Sequence, residues 1–232
     1  MSTELTFYNK HFEQSVRKAL DIYDRPITDE DAPKVFELDC TNFYFDSEDY
    51  PVLTKFKKLR KLFINTRADE LGFLRELPLI DELRLETWSD ENVVDFNSFS
   101  HLTDLEDLVV SGGDISDIDF INLDGVCDLP KLNRLCFHEF GTVDLGFLRK
   151  MPQLENFMCG WANSVKDIDA IGAHSGLKSL YLVALYLDDL DFLDNLADDI
   201  NLELACLSVK KGIDYGKLAR FKNGDFDDID EN

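Results

Sequence analysis

Cys136 and His138 stand two residues apart in the stretch 132–154, LNRLCFHEFGTVDLGFLRKMPQL. On a strand they share one face, with Glu139 next door. A thiol beside an imidazole is the minimum of a cysteine nucleophile. Nothing nearby supplies an oxyanion hole or a third group to orient the histidine, so the pair reads as incidental. Asp114, Asp117 and Asp119 (DISDID) have a superficial calcium-loop look but lack the glycine and terminal glutamate that such a loop needs. His11, His101 and His174 are too scattered for a metal cluster. Gly112-Gly113 leads into an acidic bend rather than a lysine-bearing helix, so no phosphate cradle is expected. These residues predict a non-enzymatic protein without metal or cofactor.

Bulk composition narrows the partners. The chain has 232 residues and 47 Asp+Glu against 24 Lys+Arg, a net charge of −23. That balance argues against nucleic acid and anionic membranes, both of which need cations against phosphate. It favours a basic protein partner where the charge gathers on one face. Hydrophobic residues make up 44%, enough for a core. Apolar runs fall far short of the roughly 20 residues needed to cross a bilayer. The start, MSTELTFYNKHFEQS, shows no basic region followed by an apolar one. Cys40, Cys127, Cys136, Cys159 and Cys206 are odd in number and lack CxxC spacing, suggesting neither a disulfide framework nor a zinc site. The expectation is a soluble, cytoplasmic monomer.

The elements follow from periodicity. Over residues 9–24 Phe12, Val16, Ala19, Leu20 and Tyr23 share a helical face, with Arg17 and Lys18 opposite. Pro26 ends that helix, and Thr28 reads as the N-cap of a short one over 29–34. A unit L-x-x-L-x-Φ then recurs. Its starts are Val35, Leu59, Ile80, Leu105, Leu132, Leu154, Leu177 and, less cleanly, Leu204 (as Leu204/Leu207/Val209), spaced 24, 21, 25, 27, 22, 23 and 27 residues apart. Pairs such as Leu145/Leu148, Ile168/Ile171 and Leu190/Leu193 place a short α or 3₁₀ turn in the second half. This period is the leucine-rich-repeat signature. It predicts an α/β solenoid, with a curved parallel sheet on the concave face and short helices on the convex face. Residues 1–34 form the N-terminal helical cap, 35–212 an array of about eight units, and 213–232 a C-terminal cap and acidic tail, frayed from Asp225.

The array resembles the leucine-rich-repeat superfamily, in particular the short-repeat subtype of bacterial internalin-like proteins and of a phosphatase regulatory subunit. Residues 12–38, FEQSVRKALDIYDRPITDEDAPKVFEL, resemble the helical cap of bacterial members. The resemblance, which covers about residues 9–212, implies that Val16, Ala19 and Leu20 pack on the first repeat and that Ile27-Thr28 open the lead-in. It also implies an asparagine at the ninth position of each unit, bridging backbone groups of neighbouring turns. That position holds Phe43, Arg67, Trp88, Gly113, Phe140, Ala162, Leu185 and Gly212. The buried backbone groups there need other partners, and less regular bends are expected.

If positions 4 and 6 of each unit point inward, position 5 faces the concave surface. It reads Asp39, Phe63, Arg84, Val109, Cys136, Met158, Tyr181 and Ser208, with His138 beside the column and Trp161 on the adjacent loop. A contiguous apolar column rimmed by charge predicts an interaction site. Phe63, Arg84, Val109, Cys136, His138, Met158, Trp161 and Tyr181 are therefore the candidate partner-binding residues, and a β-sheet's ordinary taste for such residues is the competing explanation. Acidic residues in the bends (Asp69-Glu70, Asp90-Glu91, 114–119, 167–169, 188–194) read chiefly as caps of the following turns. The expected function is a scaffold that binds another protein on its concave face, such as an immunity protein or inhibitor of a basic toxin or enzyme. The alternative is a structural adaptor without a discrete ligand site.

Overall fold

The computed structural model describes residues 2–88, 92–113 and 117–231. Nine parallel strands of these residues form one sheet, each bonded to its neighbours in chain order. They are β1 (Glu37–Phe45), β2 (Lys61–Arg67), β3 (Glu82–Trp88), β4 (Asp107–Ser111) and β5 (Arg134–Asp144). Then follow β6 (Asn156–Lys166), β7 (Ser179–Val183), β8 (Asn201–Ala205) and β9 (Asn223–Asp227). A parallel strand cannot return by a tight hairpin. Short helical turns carry the return, among them Ala68–Glu76, Phe96–Phe99, Leu145–Lys150, Asp169–Gly172 and Asp191–Asn195. The α/β leucine-rich-repeat solenoid read from the period is the fold of the chain.

Register explains the repeat. Leu62, Leu83, Leu108, Leu135, Phe157, Leu180 and Leu202 lie opposite one another across successive strands, and all are buried. Two residues on, Ile64, Leu85, Val110, Phe137, Cys159, Leu182 and Leu204 form the second buried row. Since strand side chains alternate, the residues between these rows face the other side. Phe137 is the hub of the core, with ring centroids of Phe96, Phe120, Phe147 and Phe157 at 5.3, 5.1, 6.0 and 6.0 Å.

Two expectations are corrected here. The last unit of the array lies five residues earlier than the expected Leu204/Leu207/Val209. Leu202 and Leu204 fill the inward rows, whereas Leu207 and Val209 belong to the following bend, where Ser208–Val209 pairs with Tyr186–Leu187 in a separate small sheet. The concave residue of that unit is Glu203, opposite Tyr181, and not Ser208. Nor does the tail fray from Asp225: β9 pairs residue for residue with β8, and Asp230–Glu231 extends the small sheet. The ninth coil escapes the L-x-L pattern because Phe226 alone carries it, between Asp225 and Asp227.

The missing asparagines are replaced in two ways. In the first coils the eighth position is a buried threonine: Thr66 Oγ1 donates to the Phe45 carbonyl at 3.0 Å, and Thr87 Oγ1 to the Thr66 carbonyl at 2.7 Å. In the later coils Glu139, Trp161, Ala184, Cys206 and Asp228 all adopt left-handed backbone, with φ of 54, 52, 50, 53 and 46°. For residues with a Cβ this costs roughly 1 kcal/mol each. It turns the chain so that Ala184 N–H reaches the Ala205 carbonyl at 2.9 Å and Cys206 N–H the Asp227 carbonyl at 3.0 Å.

The N-terminal end is closed by α1 (Lys10–Leu20), capped by the Asn9 side chain, which accepts from His11 N–H and Phe12 N–H at 2.8 and 3.4 Å. Its buried face is narrower than its sequence suggests: Phe12 and Val16 are fully buried, Leu20 is half-buried, and Ala19 and Tyr23 are exposed. The short turn after Pro26 is 3₁₀, spans Ala32–Lys34, and is organised by Asp31 rather than Thr28. The buried Asp31 carboxylate accepts from Arg25 at 2.7 and 2.8 Å, from Lys34 at 2.9 Å and from Thr28 N–H at 3.1 Å. At the other end Lys217 bridges Asp191 and Asp194 at 2.6 and 2.9 Å. Arg220 donates to the carbonyls of Leu193 and Leu196, stitching the closing turn to the coil before it.

Candidate functional site

The register that buries the leucines sets one column on the opposite face: Asp39, Phe63, Arg84, Val109, Cys136, Met158, Tyr181, Glu203, Asp225. Its members do not form one surface. At the N-terminal end the Arg84 guanidinium lies 4.7 Å from the Phe63 ring centroid and also binds Glu82 at 2.9 Å, so both are engaged within the sheet. Val109 is half-buried.

Cys136 departs from expectation. It is only 3% exposed, because its short side chain lies between longer ones on β4 and β6. Burial pushes its thiol up to about 11, so at neutral pH it is neither a nucleophile nor a prominent contact. His138 is turned away from thiol chemistry as well. Its ring stacks on Trp161 at 4.9 Å and 20°, and its Nδ1 is buried without a hydrogen-bond partner. Trp161 stays 44% exposed, its left-handed backbone aiming the indole outward partway along β6. This pair lies together, but beside the column rather than in it.

Met158 and Tyr181 are the two candidates that the fold unites in an open cavity. They face each other across β6 and β7 in a groove of about 300 Å³, lined entirely by residues of β5 to β9. No bend residue lines it. Along one side run Asn156, Ser179, Asn201 and Asn223, in register on four consecutive strands. Glu203 and Asp225 continue the floor beyond Tyr181. Burial and then Glu203 raise the Tyr181 hydroxyl above its usual range. These six polar residues were missed in the sequence. Placing the eighth unit at Leu202/Leu204 would have found Asn201 and Glu203.

Charge elsewhere on this face is largely cancelled across strands. Arg60 meets Asp81 at 2.6 Å, Lys61 meets Glu82 at 2.8 Å, and Arg134 meets Asp107 at 2.7 Å. Lys178 meets Glu155 at 2.6 Å. Of the bend carboxylates read as caps, Asp189 accepts from Asp191 N–H at 3.0 Å, whereas Asp69 and Asp167 pair with Arg67 and Arg149 instead. Caps at Asp95, Asp144 and Asp214, which accept from Asn97, Gly146 and Gly216 N–H at 2.8–2.9 Å, lie outside those bends. Of DISDID, Asp114 lies outside the described residues, as do Asp90 and Glu91. Asp119 accepts from Thr142 N–H at 2.7 Å, a structural use of that carboxylate. No described helix is long and apolar enough to cross a membrane.

Parallel coils, a leucine-lined interior and a strand-built face opposite short 3₁₀ turns give this chain the leucine-rich-repeat solenoid fold. Among solved structures it is similar to internalin C2 of Listeria monocytogenes, with a TM-score of 0.70 at 16% identity over 97% of this chain and 94% of that one. It is also similar to internalin InlF of that organism, with a TM-score of 0.65 at 14% identity over 97% and 71% of the two chains. A leucine-rich-repeat protein of Leptospira interrogans gives a TM-score of 0.56 at 15% identity over 83% and 48%. No family model matches the sequence, and neither does any curated protein.

Proposed function

We propose that the chain is a non-enzymatic scaffold that binds another protein on its concave face, with Met158 and Tyr181 as anchors. The observation that carries this reading is the open groove they floor, about 300 Å³ and walled by strand residues alone. A rigid sheet loses little conformational entropy on association, so modest contact area suffices. Apolar and aromatic side chains in a depression are the usual seat of binding energy. Trp161 and His138, beside the column within β6 and β5, would contribute a rim contact, and Phe63 and Arg84 a peripheral one; Val109 and Cys136 would serve mainly as floor.

The net charge of −23 supports a basic partner, as in an immunity protein or inhibitor that occludes a cationic toxin or enzyme. The five free thiols suit a reducing compartment, and we place the chain in the cytoplasm on that ground. The test is affinity capture from the source cell at low salt, comparing the native chain with a Met158→Asp/Tyr181→Asp variant and with Tyr215→Asp at the C-terminal turn. Loss of a cationic partner in the first variant and retention in the second supports the reading. Retention in both would make the chain an adaptor held by another face.

A further inference from the structure

Glu82 on β3, Asp107 on β4 and Glu155 just before β6 each have a cation one strand away, Lys61, Arg134 and Lys178, at 2.6–2.8 Å. Glu203 and Asp225, adjacent in register on β8 and β9, meet no cationic side chain among the described residues. Within the groove, the unbalanced charge thus lies at one end. The other end is apolar, at Met158 and Tyr181. The step between them runs across strands, and adjacent strands lie about 4.8 Å apart.

The side wall fits the same direction. Asn156, Ser179, Asn201 and Asn223 repeat at the strand spacing, spanning about 14 Å over three intervals. Each is neutral and offers a donor, an acceptor or both. The hydrogen bond within the row, Asn201 Nδ2 to Ser179 Oγ, is long at 3.4 Å. An extended chain of four or five residues covers that length at about 3.3 Å per residue and presents peptide N–H and C=O groups to such a row.

We propose that this groove takes an extended segment of a partner protein that carries an apolar side chain and, two residues on, lysine or arginine, so that both face the groove. The segment crosses the last four strands, with its main chain on the amide row, its apolar residue over Met158 and Tyr181, and its cation against Glu203 and Asp225. This rests on the concave-face reading above and assigns it a ligand chemistry.

The probe is a set of blocked octapeptides in which leucine and, two residues on, arginine, glutamate or glutamine are separated by serine, titrated into the full chain and followed by heteronuclear NMR. The expected result is saturable binding of the arginine peptide, shifting the side-chain amides of Asn201 and Asn223. Glu203→Gln/Asp225→Asn should weaken it at least tenfold. Asp46→Asn/Glu48→Gln, which removes two exposed charges from another part of the chain, should weaken it less than twofold. Equal loss in the two double variants would reduce the effect to net charge and overturn the proposal. Equal binding of all three peptides would do the same while leaving the concave-face scaffold intact. Failure of every peptide to bind at millimolar concentration removes a linear segment as the occupant, again without touching the capture experiment.

Discussion

The hydroxyl of Thr87 donates to the backbone carbonyl of Thr66 at 2.7 Å, one coil back, as that of Thr66 does to Phe45 at 3.0 Å. This stack satisfies buried carbonyls where the resemblance called for asparagine. Both threonines are 1% exposed, so water cannot replace the bond. Thr87→Val keeps the shape and strands the Thr66 carbonyl, and should cost about 1–3 kcal/mol. Urea denaturation at pH 7 measures it; a change under 0.5 kcal/mol would show that the ladder does not support the bend.

Phe137 is fully buried among four other rings within 6.0 Å. Phe137→Ala should cost about 3–5 kcal/mol, the usual range for a truncated core aromatic. Thermal unfolding should report a large fall in Tm, whereas Tyr215→Ala, 65% exposed, should leave it nearly unchanged.

Acid should loosen the N-terminal end. The Arg25 guanidinium, despite burial and with help from Lys34 and Thr28, holds the Asp31 carboxyl well below the usual carboxylate range. At pH values where the unfolded chain takes up this proton, near 4, the folded chain does not. The contribution is complete above that value and is lost as pH falls further toward the depressed folded value. Urea midpoints measured from pH 6 to pH 2 should therefore fall more steeply in the native chain than in Asp31→Asn. Parallel curves would contradict this assignment.

Thiol reactivity separates the five cysteines. Burial raises Cys136 and Cys127 to about 11 and Cys40 to about 12, and it raises the fully enclosed Cys159 as well. At pH 8 a thiol of that kind is about one-thousandth ionised. Cys206, which is exposed, should be the single fast-reacting thiol toward a disulfide reagent in the native chain, with the rest appearing on denaturation. A second fast thiol assigned to Cys136 would reopen the enzymatic reading.

The fold was legible because burial repeats. Leucine, or another apolar residue in its place, at positions 4 and 6 tells the inside from the outside of seven coils without any other information. Legibility failed where burial falls to other residues. β9 relies on Phe226 between acidic neighbours, and Leu204/Leu207/Val209 imitate a unit five residues late. Of the site, Met158 and Tyr181 could be seen because apolar residues on a polar face stand out. Cys136 could not be judged, since its exposure depends on how far its neighbours on adjacent strands reach. Asn156, Ser179, Asn201 and Asn223 are ordinary strand residues individually and acquire meaning only through register.

The concave-face reading is tested most directly by hydroxyl-radical footprinting of the chain with its captured partner bound. Met158 and Tyr181 should be protected several-fold, with Trp161 protected less, while Tyr23 and Tyr215, each about two-thirds exposed, should label as in the free chain. Unchanged labelling of Met158 and Tyr181, with protection at Tyr23 or Tyr215, would contradict the account.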